Sequence, residues 1–278
     1  MELLTMECNH NCSSCSSKDC AERTSLKVET AKENHIKKII GVVSGKGGVG
    51  KSTVTSLLAI QMAKKGYKVG IMDADITGPS IPKAFGVKNQ IVGNGELMFP
   101  QVSKKGIKLI SVNLLIDEPT KPVLWRGPVI GGAVKQFYTD VLWEDLDFLF
   151  IDMPPGTGDV ALTVFQSIPV DDVVIVTTPQ DLVSMIVGKA VNMCKMMNIP
   201  ILGLVENMSY MECPCCKEKL YPFGSSKLEE VSKLYELKSF DQLPIVPETA
   251  KLVDQGCIEE ADSSVVLKTS LALEELLK

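Results

Sequence analysis

The sequence predicts an α/β protein with a mostly parallel, twisted β-sheet and helices packed on both of its faces. Three observations carry this. From residue 36 onward, short apolar runs alternate with longer amphipathic stretches, the pattern of strands joined by helical crossovers. Several runs are apolar at nearly every position, as strands covered on both faces are; Ile39-Ile40-Gly41-Val42-Val43, Phe148-Leu149-Phe150-Ile151 and Val173-Val174-Ile175-Val176 are the clearest. A glycine-rich turn, Gly45 to Gly50, stands between the first run and the first helical pattern, at the strand end where such sheets bind ligands.

In chain order, residues 1–30 form a separate unit. It holds Cys8, Cys12, Cys15 and Cys20 in a polar stretch with few large apolar side chains, too few for a core of its own. Four thiolates at C-x3-C-x2-C-x4-C can enclose one metal centre, and that would order the segment. A 4Fe–4S cluster and zinc both accept such a set, and an unmetallated tail is the third reading. The first three cysteines match the spacing of radical enzymes that use S-adenosylmethionine, but no barrel-like series of strands and helices follows. His10 reads as a bystander and His35 as a surface residue. Lys32 to Lys38 reads as a charged linker. The second unit, residues 31–278, is expected to place strands at 36–43, 67–73, 107–112, 147–151, 172–177, 201–206 and, short and late, 239–243. Helices are expected at 51–65, 129–142, 160–167, 182–197, 225–235, 247–255 and 263–277, and residues 86–106 as an excursion over the surface.

The chain has 278 residues, enough for one large α/β domain or two small ones, and its 45% hydrophobic and 23% charged content is ordinary for a globular protein. A net charge of −5 argues against a general nucleic-acid binder. No apolar run is long enough to span a membrane, and Met1 to Asn11 lacks the pattern of a signal peptide. A cytoplasmic protein is expected, with no nucleic-acid or membrane partner. Nine cysteines then read as ligands or packed thiols, the isolated Cys194 and Cys257 being of the second kind.

The turn Gly45-Lys46-Gly47-Gly48-Val49-Gly50-Lys51-Ser52-Thr53 fits G-x-x-x-x-G-K-[ST]. Its glycines let several N–H groups converge on one anion, and the helix that follows adds its positive end. Lys51 would reach the β- and γ-phosphates of a nucleotide, and the Ser52 hydroxyl would bind Mg²⁺. Lys46 is a second lysine near the start of the loop, poorly placed to fold back on its own phosphates. It can reach a nucleotide held by a second copy of the chain, as an arginine finger does. Asp73 and Asp75 end the second strand on one face. Asp75 is the better candidate for the Mg²⁺ shell or the attacking water, and Asp73 for support. Phe148 to Ile151 followed by Asp152 has the form of a Walker B strand, so Asp152 would face Mg²⁺ through water. In Met153-Pro154-Pro155-Gly156-Thr157-Gly158-Asp159, the Gly156 N–H is placed to sense the γ-phosphate, which makes 152–159 a switch.

The K-G-G-x-G-K-[ST] form resembles the deviant P-loop ATPases, among them the nitrogenase iron protein and the septum-site-determining ATPase. The segments Asp152 to Asp159, Trp125-Arg126-Gly127-Pro128, Asp73 to Ser80 and Glu206-Asn207-Met208-Ser209 are similar to the Mrp family of iron–sulfur cluster carrier ATPases, over residues 36–278. The resemblance implies a P-loop NTPase fold, a homodimer in which Lys46 acts in trans, and slow ATP hydrolysis. It implies that Asn207 and the Val246-Pro247-Glu248 turn read the adenine, and that Cys213 and Cys216 meet the family's C-P-x-C. Two thiolates from each of two chains would then hold a bridging 4Fe–4S cluster, taken from an assembly scaffold and passed to apo iron–sulfur proteins. Cys215 is an extra thiol at the variable place, and a zinc knuckle is the bland alternative for this stretch. The N-terminal cysteines resemble those of the longer, ferredoxin-bearing members, at tighter spacing. Two other classes stand beside this reading: a partitioning or positioning ATPase that assembles on a surface, and an ATP-driven electron-donating iron–sulfur protein.

Overall fold

The computed structural model describes residues 27–75, 80–88, 90–114, 127–180 and 183–278. Cys8, His10, Cys12, Cys15 and Cys20, residues 76–79, and Trp125 with Arg126 lie outside the described residues.

The elements in chain order are β1 (His35–Val43), α1 (Lys51–Lys64), β2 (Val69–Asp73), α2 (Ser80–Ala84), β3 (Val92–Gly93), β4 (Met98–Phe99), β5 (Gln101–Val102) and β6 (Lys108–Ser111). Then follow α3 (Gly127–Thr139), β7 (Asp145–Asp152), α4 (Asp159–Ser167), β8 (Asp172–Thr177), α5 (Val183–Met196) and β9 (Ile201–Glu212). The chain continues with β10 (Lys219–Leu220), α6 (Leu228–Tyr235), β11 (Ser239–Pro244), α7 (Pro247–Gln255) and α8 (Leu267–Glu275). Strands β11-β9-β8-β1-β7-β2-β6 lie side by side, all parallel. Strand β5 adds an antiparallel edge beside β6, and β10 turns back on the far end of β9.

Strand β1 lies between β7 and β8, so its carboxyl end opens between two strands from later in the chain, the crevice where such sheets bind ligands. Alternate residues of the central strands feed two cores. Ile40, Val42, Phe148, Phe150 and Val174 pack under α1. Ile39, Val43, Leu149, Ile151 and Ile175 pack on the other face with Val164 and Phe165 of α4 and Val187 and Val191 of α5. Each such side chain, buried fully, contributes about 1.5–3 kcal/mol. Helix α1 is buried on most sides because α8 and a 3₁₀ turn at Ser263–Val266 cover its outer face. Lys64 Nζ and Gln61 Oε1 both bond Ser263 Oγ there, at 2.9 and 2.8 Å.

Three expectations are revised. The helix expected over 263–277 is a 3₁₀ turn followed by α8. Asp262 caps the turn by accepting from Ser264 N, and Asp241 accepts from the N–H groups of Lys268 and Thr269 where the α-helix takes over. Residues 86–106 contain the β3–β4 hairpin and the edge strand β5, whose two-residue pairings are too short to show a period. Residues 27–34, around the expected linker, are docked on the domain. Val28 N bonds Ser167 O at 2.8 Å, Lys27 Nζ donates to the carbonyls of Phe165 and Ile168, and Asn34 Nδ2 donates to Val141 O. Lys27 thus covers the carbonyl end of α4, favourable for the helix dipole, while its own burial lowers its pKa. Among the described residues, no helix is long and apolar enough to cross a membrane.

Candidate functional site

The carboxyl ends of β1, β2 and β7 enclose a cavity of about 410 Å³ lined by Gly47, Gly48, Gly50, Lys51, Ser52 and Asp75, among others. Glycine is required at two points of its wall. Gly50 has φ 76° in the left-handed region, and a Cβ there would sit 2.2 Å from Asn207 Nδ2. A Cβ on Gly45 would sit 2.4 Å from the carbonyl oxygen of Ile186 in α5. Helix α1 starts at Lys51 with no side chain capping its N-terminus, so its first N–H groups stay available to an anion.

The charged side chains expected here do converge. Lys51 Nζ lies 2.7 Å from Asp152 Oδ1 and 3.6 Å from Asp75 Oδ2. The ammonium is buried and its contact with Asp152 lacks hydrogen-bond geometry, so it is an ion pair with donors to spare. Ser52 Oγ donates to Asp152 Oδ2 at 2.6 Å. Asp73 stands beside Asp152 in the β2–β7 register and is also buried, held by Ser111 Oγ at 2.8 Å and Asp75 N at 3.1 Å.

Burial first, and the neighbouring Asp152 charge second, push the Asp73 carboxyl well above its usual range. The folded chain therefore binds this proton more readily than the unfolded chain. Stability falls as pH rises from the ordinary aspartate value through the raised one. Asp73→Asn keeps a carbonyl oxygen for the Asp75 N–H, offers its NH2 to Ser111 Oγ, which can turn to accept, and removes the charge. In thermal melts without nucleotide it should raise the midpoint near neutral pH, by about 2–4 °C for each kcal/mol of repulsion relieved. The gain should shrink in mild acid; a gain that is the same at both pH values would refute this account.

The segment after β7 departs from expectation. Gly156 N–H donates to Ser44 O at 2.9 Å, so in this structure its bond runs to the carbonyl just before the P-loop. Lys46, half-buried, is held by the Gln180 side chain after β8. Gln180 was not foreseen from the sequence, nor was Thr55, whose hydroxyl lies 2.8 Å from Asp152 Oδ1. The spacing offered a signal for Thr55: it sits one helical turn beyond Lys51 and Ser52, on the same face.

A second groove, of about 1380 Å³, starts at Gly50 and Thr53, passes Asn207, Met208 and Tyr210, and reaches Pro214. Pro247 and Glu248, the first residues of α7, form part of its other wall. Asn207 Nδ2 donates to Val49 O at 2.9 Å, so one of its amide hydrogens is committed to the P-loop.

Strand β9 carries Asn207 and ends just before the turn Cys213-Pro214-Cys215-Cys216-Lys217. Lys217 N bonds Cys213 O, and Cys213 N bonds Glu218 O, each at 2.9 Å. Cys213 is half-buried; Cys215 and Cys216 are exposed. The N–H groups of Cys216, then Cys215, face the Cys213 sulfur and lower its pKa, which favours the thiolate. Among the described residues, no three His, Cys, Asp or Glu side chains gather as a metal site. Cys194 is buried and its thiol is pushed up to about 12, as a packed thiol should be; Cys257 is half-buried.

Glycine cradle after the central strand, lysine at the helix start and carboxylate at the end of a neighbouring strand follow one another here as in P-loop NTPases, and the chain is one of them. Cell division ATPase MinD of Pyrococcus furiosus has the same fold at 19% identity, with a TM-score of 0.62 over 86% of this chain and 99% of that one. The family is narrower than the fold. Residues 35–276 match the family model described as ParA: NUBPL iron-transfer P-loop NTPase, and the chain belongs to that family. It is 47% identical to the iron-sulfur cluster carrier protein of Clostridium perfringens, over 90% of this chain and 94% of the relative. It is 45% identical to that of Methanocaldococcus jannaschii, over 90% and 89%. A nucleotide-binding protein of Archaeoglobus fulgidus, solved with ADP, is 44% identical, with a TM-score of 0.73 over 81% of this chain and 88% of that one.

Proposed function

We propose that this protein binds and hydrolyses ATP and carries a 4Fe–4S cluster, held between two copies of the chain, to apo iron–sulfur proteins. The observation that carries the proposal is the exposed hairpin after β9. It presents Cys213 and Cys216 with no third protein ligand gathered beside them among the described residues, half the set a cube needs. Two copies about a twofold axis complete the set. A cluster shared in this way is easier to release than one enclosed by a single chain. An assembly scaffold would supply it, in the cytoplasm.

The nucleotide roles follow the geometry. Lys51, with donors to spare, and the open start of α1 take the β- and γ-phosphates, and the backbone from Gly45 to Thr53 wraps them. Asn207, Pro247 and Glu248 take the adenine. Ser52, Asp152 and Asp75 offer the hard oxygen donors that fit Mg²⁺, which would neutralise charge on the transferring phosphoryl group. Lys46 leaves Gln180 to reach the partner's nucleotide. The Gly156 N–H exchanges Ser44 for the γ-phosphate, so 152–159 acts as a slow, ATP-ordered switch. Coupling runs from this segment and Asp75 through the dimer interface to the cysteines. Cys8, Cys12, Cys15 and Cys20 would form a second centre, iron–sulfur or zinc, in the stretch that precedes the docked residues 27–34.

The test is anaerobic reconstitution with iron and sulfide in the presence of Mg-ATP, using a chain with Cys8, Cys12, Cys15 and Cys20 replaced by serine. A sedimenting dimer with one cluster per two chains is expected, and it should activate an apo acceptor enzyme. A monomer that takes up no iron would overturn the reading.

A further inference from the structure

We infer that Thr55 is a positioning residue for nucleotide hydrolysis: its hydroxyl holds the Asp152 carboxylate in place once Lys51 and Ser52 have turned to the nucleotide. The inference rests on the nucleotide roles proposed above.

Three side chains meet Asp152 in this structure. Lys51 Nζ is 2.7 Å from Oδ1, Ser52 Oγ is 2.6 Å from Oδ2, and Thr55 Oγ1 is 2.8 Å from Oδ1. The first two line the phosphate cavity; Thr55 does not, and it is completely buried. Binding therefore draws Lys51 toward phosphate oxygens and puts an oxygen lone pair of Ser52 on the metal, so Asp152 loses the partner that neutralises it and shares a second. Thr55 has no competing task at the cavity. Its Oγ1 also lies 3.0 Å from the carbonyl oxygen of Lys51, within its own helix. Both neighbours are acceptors and a hydroxyl has one proton, so it serves one of them at a time. While Lys51 neutralises the carboxylate, the two acceptors compete closely. Once Lys51 leaves, the carboxylate is the stronger acceptor and takes the proton. The β-branched side chain, restricted at χ1 in a helix, makes this change by turning the hydroxyl alone.

The placement explains why the donor sits one turn inside α1. A donor on the cavity wall would itself be drawn to phosphate. One turn deeper, on the same face, it reaches the back of the carboxylate and leaves the front open.

The experiment measures binding of the fluorescent nucleotide mant-ADP to the full chain, in EDTA and again across a magnesium titration. Thr55→Val should bind mant-ADP in EDTA as the wild type does. The tightening that magnesium produces should fall about tenfold, the scale of one hydrogen bond to a charged group. Thr55→Ser, which keeps the hydroxyl, should restore it. An unchanged magnesium effect in Thr55→Val overturns the inference and leaves the nucleotide reading standing. So does loss of binding in EDTA by both variants, which marks a role in folding alone. Wild-type protein that binds no mant-ADP overturns the nucleotide reading, and this inference with it.

Discussion

Lys51→Ala is expected to reduce ATP turnover by about 10²–10³-fold, the scale seen when one preorganised hydrogen-bond donor is removed from a reacting centre. The same variant should melt lower than wild type without any nucleotide. Lys51 is ion-paired with both Asp75 and Asp152, and it partly offsets the charge felt by Asp73. Its loss leaves buried carboxylates uncompensated, which costs about 3–5 kcal/mol when one partner of a buried pair is removed. Asp73, whose carboxyl Lys51 helps to hold down, is then raised further, so the deficit should shrink in mild acid. Phosphate release and thermal melts at two pH values check both parts. Lys46→Ala should also stop hydrolysis, for a different reason, and mixing separates the two. In a mixed dimer, the nucleotide bound by the Lys46→Ala chain still meets Lys46 from its partner. An equimolar mixture should regain roughly a quarter of wild-type activity, since half the dimers are mixed and each has one complete site. If the mixture stays inactive although the two chains exchange, Lys46 does not act in trans.

How much of this was readable before the fold was seen depends on the kind of interaction. Strands β1, β7 and β8 were legible because burial on both faces leaves no polar position, and short runs of that kind fit little besides a covered strand. The contact of Lys51 and Ser52 with Asp152 was legible because a glycine turn, a helix start and a strand end each fix one partner in space. Two-residue pairings such as β3 with β4 were not, since a period needs more than two residues to show itself. Nor was the docking of Lys27 on α4. The carbonyls it caps lie about 140 residues away, and a charged stretch of chain looks the same whether or not it finds them. The Gly156 N–H shows a third limit. Its position was inferred from the motif, but whether it faces a phosphate or Ser44 depends on which acceptor is present. Thr55 was hidden differently. A threonine among Val54, Leu57 and Leu58 reads as helix core until the carboxylate across from it is known.

Cys213→Ala should leave nucleotide binding intact and end cluster transfer. The first half follows from distance. Cys213 stands six residues beyond Asn207, at most about 20 Å at 3.3 Å per residue, and lines neither the phosphate cavity nor the groove beside it. The hairpin should survive, because the bonds that close it join main-chain atoms of Cys213, Lys217 and Glu218, and alanine keeps these. The second half follows from ligand number. Removing one thiolate from each chain leaves a pair of chains with two, half the set that a bound cube requires. Cys213 is also the thiol whose sulfur faces backbone N–H groups, so it is the better prepared of the two as a thiolate. With Cys8, Cys12, Cys15 and Cys20 replaced by serine as before, Cys215 is the nearby thiol able to confuse the result, being exposed and two residues away. The single variant is therefore compared with Cys213→Ala/Cys215→Ala and with Cys215→Ala alone. Visible absorbance of the cluster and activation of an apo acceptor are the readouts, with mant-ADP binding as the control. Loss in the single variant with little change in Cys215→Ala places the cargo on the Cys213–Cys216 pair. Loss only in the double variant means that Cys215 can stand in for Cys213. Wild-type transfer from both would leave the hairpin with no part in carrying the cluster, and the proposed function would fail at its central observation.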